Sequence, residues 1–514
     1  MRLTALIDTL EVLQVCGQLP AAEVTGLAYD SRKAGPGVLF AALKGVRSDG
    51  HDFVAAAAKA GALAALVERP QEVDLPQVVV ANARRALALA ASRFFGQPSR
   101  RMTMVGVTGT NAKTTVTYLV EALLSRRGGV GLLGTVEVRW PGSRRAAAMT
   151  TPESLDLQAA LAQMLAAGAH GVVMEVSSHA LAQERVTGCY FDLGLFTNLS
   201  RDHLDYHGDM ETYFNAKRLL FNQVLLRSRR VGKDPAAVVC LDDPRGSRLA
   251  GECAGLGLRT LTYGFSPAAR VRGLDPVTSL AGGSCRVVWP AGSFQARTSL
   301  VGLYNLQNLL AAVAAGLALG MEPGEIEHAL ARVSGVPGRL QRVPGPAGAP
   351  AVFVDYAHSD QALRSVLAAL RPLTPGRLLC VFGAGGDRDQ GKRPLMGQAV
   401  GAGADLAVLT SDNPRSEDPL AIMAMVESGL RDAGAVQVSD LGGRGPAYLL
   451  EPDRAAAIAL AVEAAAPEDV VLIAGKGHED YQIIGGQRRH FDDRQEAAAA
   501  LARRAGGEAS RAQA

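Results

Sequence analysis

The hydrophobic positions of the chain recur as short apolar runs, each followed by a glycine-containing loop and a helical stretch. The clearest case is the run MTMVGV (102–107), followed by TGTNA and then KTTVTYLVEALLSRR (113–127). A second series consists of the runs VFVDY (352–356), RLLCVFG (377–383), DLAVLT (405–410) and DVVLIAG (469–475). This alternation of strands and helices predicts parallel α/β sheets. We therefore expect two α/β domains, preceded by a smaller N-terminal unit.

The length and two breaks in the pattern predict where the domains divide. The chain has 514 residues, which corresponds to about three domains of roughly 150 residues each. The segments GQPSRR (96–101) and PGPAGAPA (344–351) are rich in turn-forming residues. The predicted parts are an N-terminal domain (1–99), a central domain (100–341), a C-terminal domain (342–504) and a disordered tail (505–514).

Composition narrows the class of protein. Hydrophobic residues make up 48% and charged residues 20%, which excludes disorder as the main state. The net charge of +3 is too small to indicate a nucleic-acid partner. The six cysteines are scattered without paired spacing, which argues against a disulfide framework or a zinc site. Asp8 and Glu11 interrupt the first apolar stretch, and no run is long enough for a membrane span. We expect a cytoplasmic protein.

The segment GVTGTNAKTT (106–115) joins the first strand to its helix and predicts a phosphate-binding loop. Backbone N–H groups at the helix start would bind a triphosphate, Lys113 would supply positive charge, and Thr114 would ligate Mg²⁺. The spacing differs from the standard Walker pattern, so an ordinary glycine-rich turn is the alternative. Lys-Thr-Thr at the start of a helix has no packing purpose, which favours the phosphate loop.

Polar side chains also follow the next two apolar runs. Glu175 and Ser177 come at the end of the run HGVVMEV, where parallel α/β sheets bind ligands. The segment FTNLSRDHLDYHG (196–208) carries several more groups, namely Asn198, Asp202, His203, Asp205 and His207. A single histidine is usually a surface or core residue, but this density favours a metal–phosphate site. With Glu175 it predicts a Mg²⁺ centre of oxygen and nitrogen ligands.

At this point the chain resembles the Mur ligases of peptidoglycan synthesis. The strings that carry the resemblance are GVTGTNAKTT, TTPES (150–154), MEVSSHAL (174–181), FTNLSRDHLDYHG, VDYAH (354–358), GAGGDRDQGKRPLM (383–396), TSDNPRSEDP (410–419) and AGKGHEDYQ (474–482). It extends from Asp30-Ser31-Arg32 to about residue 495. The resemblance implies a three-domain α/β architecture: an N-terminal UDP-substrate domain, a central P-loop domain that binds ATP and a Rossmann-like C-terminal domain.

The implied reaction is ATP-dependent amide-bond formation in peptidoglycan precursor synthesis. A carboxylate is a poor electrophile, so ATP first converts it into an acyl phosphate, which an amine then attacks. The implied substrates are UDP-N-acetylmuramoyl-L-alanyl-D-glutamate and meso-diaminopimelate, with Mg²⁺ as cofactor. The enzyme is expected to act as a monomer, without nucleic acid and without membrane insertion.

The resemblance assigns roles to individual residues. The ATP-binding residues are Gly109, Thr110, Asn111, Ala112, Lys113, Thr114, Thr115, Asn308, Arg339, Asp355 and His358. The catalytic residues are Lys113, Glu175, His203 and Lys217, and the metal ligands are Thr114, Glu175, His203 and Lys217. Lys217 matches the family's carbamylated lysine, whose anion binds Mg²⁺ where a bare ammonium would repel it. The UDP-substrate residues are Tyr29, Ser31, residues 46–48, Thr150, Thr151, Ser177, Gln183 and Arg185.

The residues assigned to the incoming amino acid suggest its identity. They are Arg388, Asp412, Asn413, Pro414, Arg415, Gly475 and Glu479. A guanidinium binds a carboxylate bidentately and Glu479 suits an ammonium, which together favour meso-diaminopimelate. Lysine or ornithine would leave Arg415 without a partner. The alternative is that Arg415 pairs with Glu417 or Asp418 in its own loop, which would leave room for lysine or ornithine.

The sequence departs from the family pattern at some positions, and two rival functions remain. Ala112 stands where the family usually has glycine, and Met149 stands where asparagine is common. The nearest rival is a folylpolyglutamate synthetase, whose phosphate loop lies near its N-terminus, unlike the loop here. The other rival is a P-loop ATPase that makes no bond, but it would not need the polar strings of the C-terminal domain.

Overall fold

A computed structural model of the chain describes residues 1–45, 48–443 and 445–512, with side chains to residue 505. Its contacts divide the chain into two compact units. The first unit contains Met1–Gly273, Val287–Phe294 and Asn308–Ala329. The second unit contains Leu274–Arg286 and Gln295–Gln307 and runs from Leu330 onward.

The N-terminal part of the first unit is a five-stranded sheet with three helices. Its elements are α1 (Leu3–Ile7), β1 (Val12–Cys16), β2 (Gly26–Ala28), β3 (Val38–Ala41), α2 (Val54–Lys59), β4 (Ala64–Val67), β5 (Gln77–Val80) and α3 (Ala83–Phe94). The strand order is β1-β5-β4-β3-β2, and only the edge strand β1 is antiparallel to its neighbour. The fully buried strands β4 and β5 are apolar on both faces apart from Gln77, as expected inside a mixed sheet covered on both sides.

The rest of the first unit is built on a second, larger sheet. Its elements are β6 (Thr103–Thr108), α4 (Lys113–Leu124), β7 (Val130–Leu133), β8 (Glu137–Trp140), β9 (Ser143–Ala146), α5 (Ser154–Ala166), β10 (Gly171–Glu175), α6 (Ser178–Ala182), β11 (Leu193–Phe196), α7 (Leu204–His207), α8 (Met210–Leu219), a π-helical segment (Leu220–Leu225), α9 (Leu226–Arg230), β12 (Ala236–Cys240), α10 (Gly246–Gly255) and β13 (Arg259–Gly264). The elements β14 (Val271–Ser279), β15 (Gly282–Trp289), β16 (Gly292–Thr298), α11 (Leu303–Ala318) and α12 (Pro323–Ala331) follow, and several of them are divided between the two units.

The central strand of this sheet positions the phosphate loop. β6 lies between β10 and β11 and runs parallel to both. In this register Glu175 pairs with Val107, and Phe196 pairs with Thr108. The three parallel strands therefore end at one edge of the sheet. The loops that follow them, which carry the polar strings of the sequence, start side by side.

The second unit contains a seven-stranded sheet. Its elements are β17 (Gln341–Val343), β18 (Ala351–Asp355), α13 (Asp360–Leu370), β19 (Leu378–Phe382), α14 (Lys392–Gly403), β20 (Leu406–Leu409), α15 (Pro419–Asp432), β21 (Val436–Gln437), β22 (Ala447–Leu450), α16 (Arg454–Ala464), β23 (Val470–Ala474), β24 (Tyr481–Ile484), β25 (Gln487–His490) and α17 (Asp493–Ala512). The order is β17-β18-β23-β19-β20-β22-β21, and only β17 is antiparallel. Asp355 pairs with Ala474, so the loops after β18 and β23 also leave neighbouring strand ends.

The predicted α/β fold is confirmed, since each apolar run of the sequence analysis forms a parallel strand. The chain end differs from expectation. The backbone is helical in α17 as far as Ala512, whereas the sequence predicts a disordered tail from residue 505. Alanine and arginine favour helix. Ala497, Ala500 and Leu501 pack into the core, and this packing stabilises the helix from which the last residues continue. Within the described ranges, no helix is long and apolar enough to cross a membrane.

Candidate functional site

The phosphate loop leaves β6 and is held by the loop that leaves β11. The Asn111 N–H donates to Asn198 Oδ1 (2.9 Å), and Thr197 Oγ1 donates to the Asn111 carbonyl (2.7 Å). Gly109 has φ +152°, and a Cβ there would lie 1.8 Å from Thr197 Oγ1, so only glycine fits. The contact between the two loops fixes the backbone that would face a phosphate.

Ala112 is the residue before α4, where the sequence departs from the family pattern. It adopts φ +71°, a left-handed conformation that glycine reaches without strain. It places no side-chain cap on the helix. This position therefore keeps a left-handed backbone although it carries alanine and not glycine, which would adopt that conformation without strain.

Two lysines converge on the carbonyl of Gly109. Lys113 Nζ donates to the Gly109 carbonyl (3.1 Å) and to the Thr110 carbonyl (2.8 Å). Lys217, on α8, is only 1% exposed, and its Nζ donates to the same Gly109 carbonyl (2.8 Å). Burial lowers the pKa of Lys217 well below its usual value, the charge of Lys113 lowers it further, and Asp202 opposes both. The structure therefore places Lys217 at the phosphate loop, 108 residues away in sequence.

Glu175 lies at the end of β10, 1% exposed, and connects the phosphate loop to β7 and β8. Thr114 Oγ1 donates to Glu175 Oε1 (3.0 Å), and the backbone N–H of Thr135 donates to the same oxygen (2.8 Å). The Thr135 hydroxyl donates to Oε2 (3.1 Å) and lies 3.0 Å from the Thr150 hydroxyl. Sequence reasoning missed Thr135, because no local signal connects it with a carboxylate 40 residues away.

The histidines form a separate aromatic cluster beside the loop. His203 adopts φ +52° at the start of α7, and its ring packs edge-on against His179, with ring centroids 4.9 Å apart. Burial lowers the pKa of His207 to about 4, and its Nε2 lies 3.0 Å from Ser178 Oγ. Desolvation also lowers the pKa of His203, and the charges of Lys113 and Lys217 act in the same direction. Both shifts favour the neutral imidazole, in which one ring nitrogen retains its lone pair.

The structure brings together only some of the predicted metal ligands. Thr114 and Glu175 are in contact, and their oxygens fit the preference of Mg²⁺. His203 makes no hydrogen bond to Glu175 in the described part of the chain. No group of three His, Cys, Asp or Glu side chains suited to a metal is found among these residues. The bare ammonium of Lys217 does not fit a cation, whereas a carbamate on the same nitrogen would.

The predicted UDP-substrate residues of the central domain form one network. Thr151 Oγ1 donates to the Glu175 carbonyl (2.8 Å) and accepts from the Ser177 N–H (3.1 Å). Arg185 donates from Nη1 to the Thr151 carbonyl (3.0 Å) and from Nε to Gln183 Oε1 (3.1 Å). These contacts link the predicted substrate residues directly to the strand that carries Glu175.

Two of the contacts between the N-terminal and central domains lie at the start of α5, and one of them leads to this network. The Tyr29 hydroxyl donates to Asp156 Oδ2 on α5 (2.5 Å). Glu153 binds Arg84 of α3 through Oε2 (3.1 Å) and Arg185 through Oε1 (3.1 Å). Arg84 is a further residue that the sequence did not single out, since nothing around it differs from an ordinary helix arginine.

The remaining predicted residues of the N-terminal domain lie apart from this network. Ser31 begins a short 3-10 turn, Ser31–Lys33, which the Asp30 side chain caps. Of the predicted segment 46–48, residues 46 and 47 lie outside the described residues.

The nucleotide residues predicted in the C-terminal part surround the end of β18. Asp355 accepts hydrogen bonds from the N–H groups of Leu340 (2.7 Å) and Ala357 (2.8 Å), and burial raises its pKa while Arg339 opposes the shift. The Arg339 guanidinium lies 5.3 Å from the centre of the Tyr356 ring.

His358 also lies at this strand end, and Asn308 belongs to the other unit. His358 is exposed, and its Nδ1 lies 2.7 Å from the Tyr356 carbonyl. Asn308 is buried on α11 in the first unit.

Arg415 is presented by the loop after β20. It adopts φ +56°, its N–H donates to the Ile483 carbonyl (3.0 Å), and its Nη1 donates to the Gly386 carbonyl (2.6 Å). Glu417 instead binds the buried Arg393 (2.7 Å), and Asp418 caps α15. The alternative in which Arg415 pairs within its own loop is therefore not observed, and Arg415 has no ion pair within the described ranges.

Arg388 behaves differently from Arg415. It is exposed, and its Nη1 makes a long 3.4 Å contact to the Asp387 carbonyl. Like Arg415, it has no carboxylate partner among the described side chains.

The other predicted amino-acid residues meet between the ends of β20 and β23. Asn413 Nδ2 donates to Glu479 Oε2 (3.0 Å). Gly475 adopts φ +119°, and a Cβ there would lie 3.2 Å from Asp412 Oδ2. Pro414 is buried beside them, and its carbonyl closely approaches Gly386. Burial raises the pKa of Glu479, and the charge of Arg415 opposes the shift.

A buried ion pair fixes the two strand ends that carry these residues. Arg454 and Asp493 are both fully buried and form two hydrogen bonds of 2.7 Å. Arg454 also donates to the carbonyls of Ser411 (3.5 Å) and Ala474 (3.0 Å). The loops after β20 and β23 are thus attached to the first residue of α17.

Comparisons with known proteins show which families and structures the chain is similar to. Three family models match: the Mur ligase family catalytic domain at residues 23–95, the Mur ligase middle domain at 107–316 and the Mur ligase glutamate ligase domain at 338–477. The UDP-N-acetylmuramoyl-L-alanyl-D-glutamate–2,6-diaminopimelate ligase of Geobacter metallireducens is 46% identical over 510 residues, which are 98% of each chain. The protein of the same name from Gloeobacter violaceus is 45% identical over 95% of each chain. A solved structure of a ligase with this name has a TM-score of 0.72 at 34% identity, and the match covers 98% of this chain and 99% of the other.

Proposed function

The chain belongs to the Mur ligase family, and from this premise we propose that it uses ATP to join meso-diaminopimelate to UDP-N-acetylmuramoyl-L-alanyl-D-glutamate. Relatives with this activity in their name align over nearly the whole chain. The observation that carries the amino-acid assignment is Arg415, whose guanidinium is fixed by the Gly386 carbonyl while its loop carboxylates are engaged elsewhere. An amino acid with a second carboxylate supplies the missing partner.

Glu479, an acidic residue, supports the assignment of diaminopimelate through the substrate's ammonium group. Its Oε2 is occupied by Asn413, and the charge of Arg415 acts on its pKa. A cationic and an anionic group near each other suit the carboxylate and ammonium at the far end of diaminopimelate. Lysine and ornithine carry the ammonium but lack the second carboxylate, so they would leave Arg415 desolvated and unpaired.

The reaction proceeds in two steps. A carboxylate oxygen of the substrate's D-glutamate attacks the γ-phosphorus of ATP, which gives an acyl phosphate and ADP. The amine of diaminopimelate then attacks the acyl carbon, loses a proton, and phosphate leaves with the bonding electrons. The phosphate loop and Lys113 hold the triphosphate and neutralise its charge, while Thr151, Ser177 and Arg185 hold the UDP-substrate.

Thr114 and Glu175 would hold Mg²⁺, which supplies charge neutralisation for the phosphoryl group. We propose that Lys217 completes the site as a carbamate. Its burial and the neighbouring Lys113 favour the neutral amine, which is the form that adds to carbon dioxide with release of a proton. The resulting anion would also balance the charge of Lys113, whose Nζ donates to the same Gly109 carbonyl as Lys217.

Competitive incorporation tests the function. The purified protein is given ATP, Mg²⁺, the UDP-muramoyl dipeptide and an equimolar mixture of diaminopimelate, lysine and ornithine. The expected result is one product carrying diaminopimelate, with phosphate release that requires all three substrates. Dominance of lysine or ornithine in the product would reject the amino-acid assignment. Phosphate release without any coupled product would favour an ATPase that forms no amide bond.

Since the reaction consumes ATP, we place it in the cytoplasm, and we expect a monomer to suffice.

A further inference from the structure

Lys476 is a fully buried lysine in the loop after β23 that the proposed reaction does not use. Its side chain is 0% exposed. Nζ donates to the Tyr481 carbonyl (2.7 Å) and to Asn413 Oδ1 (3.0 Å). It also lies 3.3 Å from Asp412 Oδ1 and 4.0 Å from Glu479 Oε2. A buried ammonium with this many partners fixes the groups around it.

The first consequence concerns the side-chain amide of Asn413. Its Oδ1 accepts from both Lys476 Nζ and the N–H of Ile483, each at 3.0 Å. Rotating the amide by half a turn would place its NH₂ group against these two donors, so this rotation is disfavoured. Nδ2 must therefore point the other way, where it donates to Glu479 Oε2.

The second consequence concerns Glu479 itself. Oε2 is occupied by Asn413, while Oε1 has no hydrogen bond to any residue that the structure describes. The Glu479 side chain is 18% exposed, so part of it is open to a ligand. Lys476 also offsets the carboxylate of Asp412, whose proximity otherwise disfavours a charged Glu479.

We propose that Lys476 is a positioning residue for the amino-acid substrate: it locks Asn413 so that Glu479 presents a fixed side-chain oxygen to the substrate's ammonium. The inference rests on the proposed function, because it assumes that Glu479 binds an amine. Lys476 acts through Asn413 and Glu479 and has no contact with the substrate itself.

The test replaces Lys476 by methionine, which keeps the length of the side chain and removes the ammonium. We expect the KM for the amino acid to rise on the order of 10- to 100-fold, as for loss of a hydrogen bond to a charged group. The KM values for ATP and for the UDP-substrate should change by less than about 2-fold, since those sites lie on other residues. In addition, the acid limb of kcat/KM for the amino acid should move to higher pH, because Glu479 loses the neighbouring cation.

Lys233→Met is the matched control. Lys233, whose side chain is 11% exposed, also donates to a carbonyl, that of Met102 (2.9 Å), and pairs with a carboxylate, that of Asp192 (2.6 Å). It belongs to the first unit and has no role in the amino-acid site. This variant should lose a similar amount of thermal stability without changing the KM for the amino acid.

Two further variants keep the inference testable if Lys476→Met does not fold. Asn413→Asp keeps an acceptor for Lys476 but cannot donate to Glu479, so it should raise the same KM. Lys476→Arg, which retains a buried donor, should recover part of the affinity. An unchanged KM for the amino acid in Lys476→Met or Asn413→Asp would overturn the inference, as would an equal rise in all three KM values.

All variants are compared on whichever amino acid the unmodified protein incorporates. An unexpected amino acid in that experiment would contradict the proposed specificity alone. A selective change in the KM for that amino acid would still support the role of Lys476.

Discussion

Replacing Thr135 by valine removes one hydroxyl from the surroundings of Glu175 and leaves no cavity. Glu175 is 1% exposed and accepts three hydrogen bonds from the residues that the structure describes, and among these the Thr135 hydroxyl provides the only one to Oε2. The backbone N–H of Thr135 remains in the variant. A hydrogen bond to a charged group contributes about 1.5–3 kcal/mol. If this orientation is needed for Mg²⁺ and ATP, kcat/KM for ATP should fall about 10- to 100-fold.

The measurement is the initial rate of phosphate release as a function of Mg²⁺ and ATP concentration. Thr135→Val should raise the half-saturating Mg²⁺ concentration, because the Glu175 carboxylate is less well oriented. Thr135→Ser keeps the hydroxyl and should stay within about 3-fold of the original protein. A folded Thr135→Val protein with the original Mg²⁺ requirement and the original kcat/KM would refute the reasoning that Thr135 orients a metal ligand.

Three other substitutions test separate parts of the molecule. Lys217→Ala should be nearly inactive and partly rescued by formate or acetate, whereas full activity in a rate assay would contradict the carbamate. Arg415→Ala should raise the KM for diaminopimelate more than that for lysine, and an unchanged ratio in competitive incorporation would show that Arg415 does not read the second carboxylate. Ala112→Gly removes a left-handed alanine, which costs about 1–2 kcal/mol, and adds the backbone entropy of glycine, about 0.5–1 kcal/mol. Its urea midpoint should therefore rise slightly, and a clear decrease would show that the alanine makes a compensating contact.

The sequence predicts the interior strands of the two larger sheets well, because parallel strands buried on both faces must be continuous apolar runs. The run 102–107 becomes β6 (Thr103–Thr108), and the helix predicted from residue 113 begins at Lys113. The family prediction is confirmed by the relatives and the family models. The assigned roles of the site residues remain predictions, although the structure groups many of them.

The residues that the sequence missed share one property. Thr135, Arg84 and Lys476 act on groups that the fold brings to them, and each belongs to a type that is common in ordinary loops and helices. A threonine that orients Glu175 cannot be distinguished from any other threonine without the register of the neighbouring strands. Lys476 illustrates a related limit, because its sequence context indicates a ligand-binding loop but not that its ammonium is buried behind that loop.

The pair of Arg454 and Asp493 determines how the chain can be shortened or extended. Asp493 is the first residue of the last helix, and through Arg454 it holds the Ala474 carbonyl at the end of β23 and the Ser411 carbonyl in the loop after β20. A truncation that removes Asp493 would leave the buried Arg454 guanidinium without its carboxylate, which should lower the free energy of unfolding by about 3–5 kcal/mol. A fusion partner added after the final residue leaves the pair intact. Expression tags and reporter domains should therefore be appended to the complete helix, since a trimmed C-terminus would loosen loops nearly 20 and 80 residues upstream.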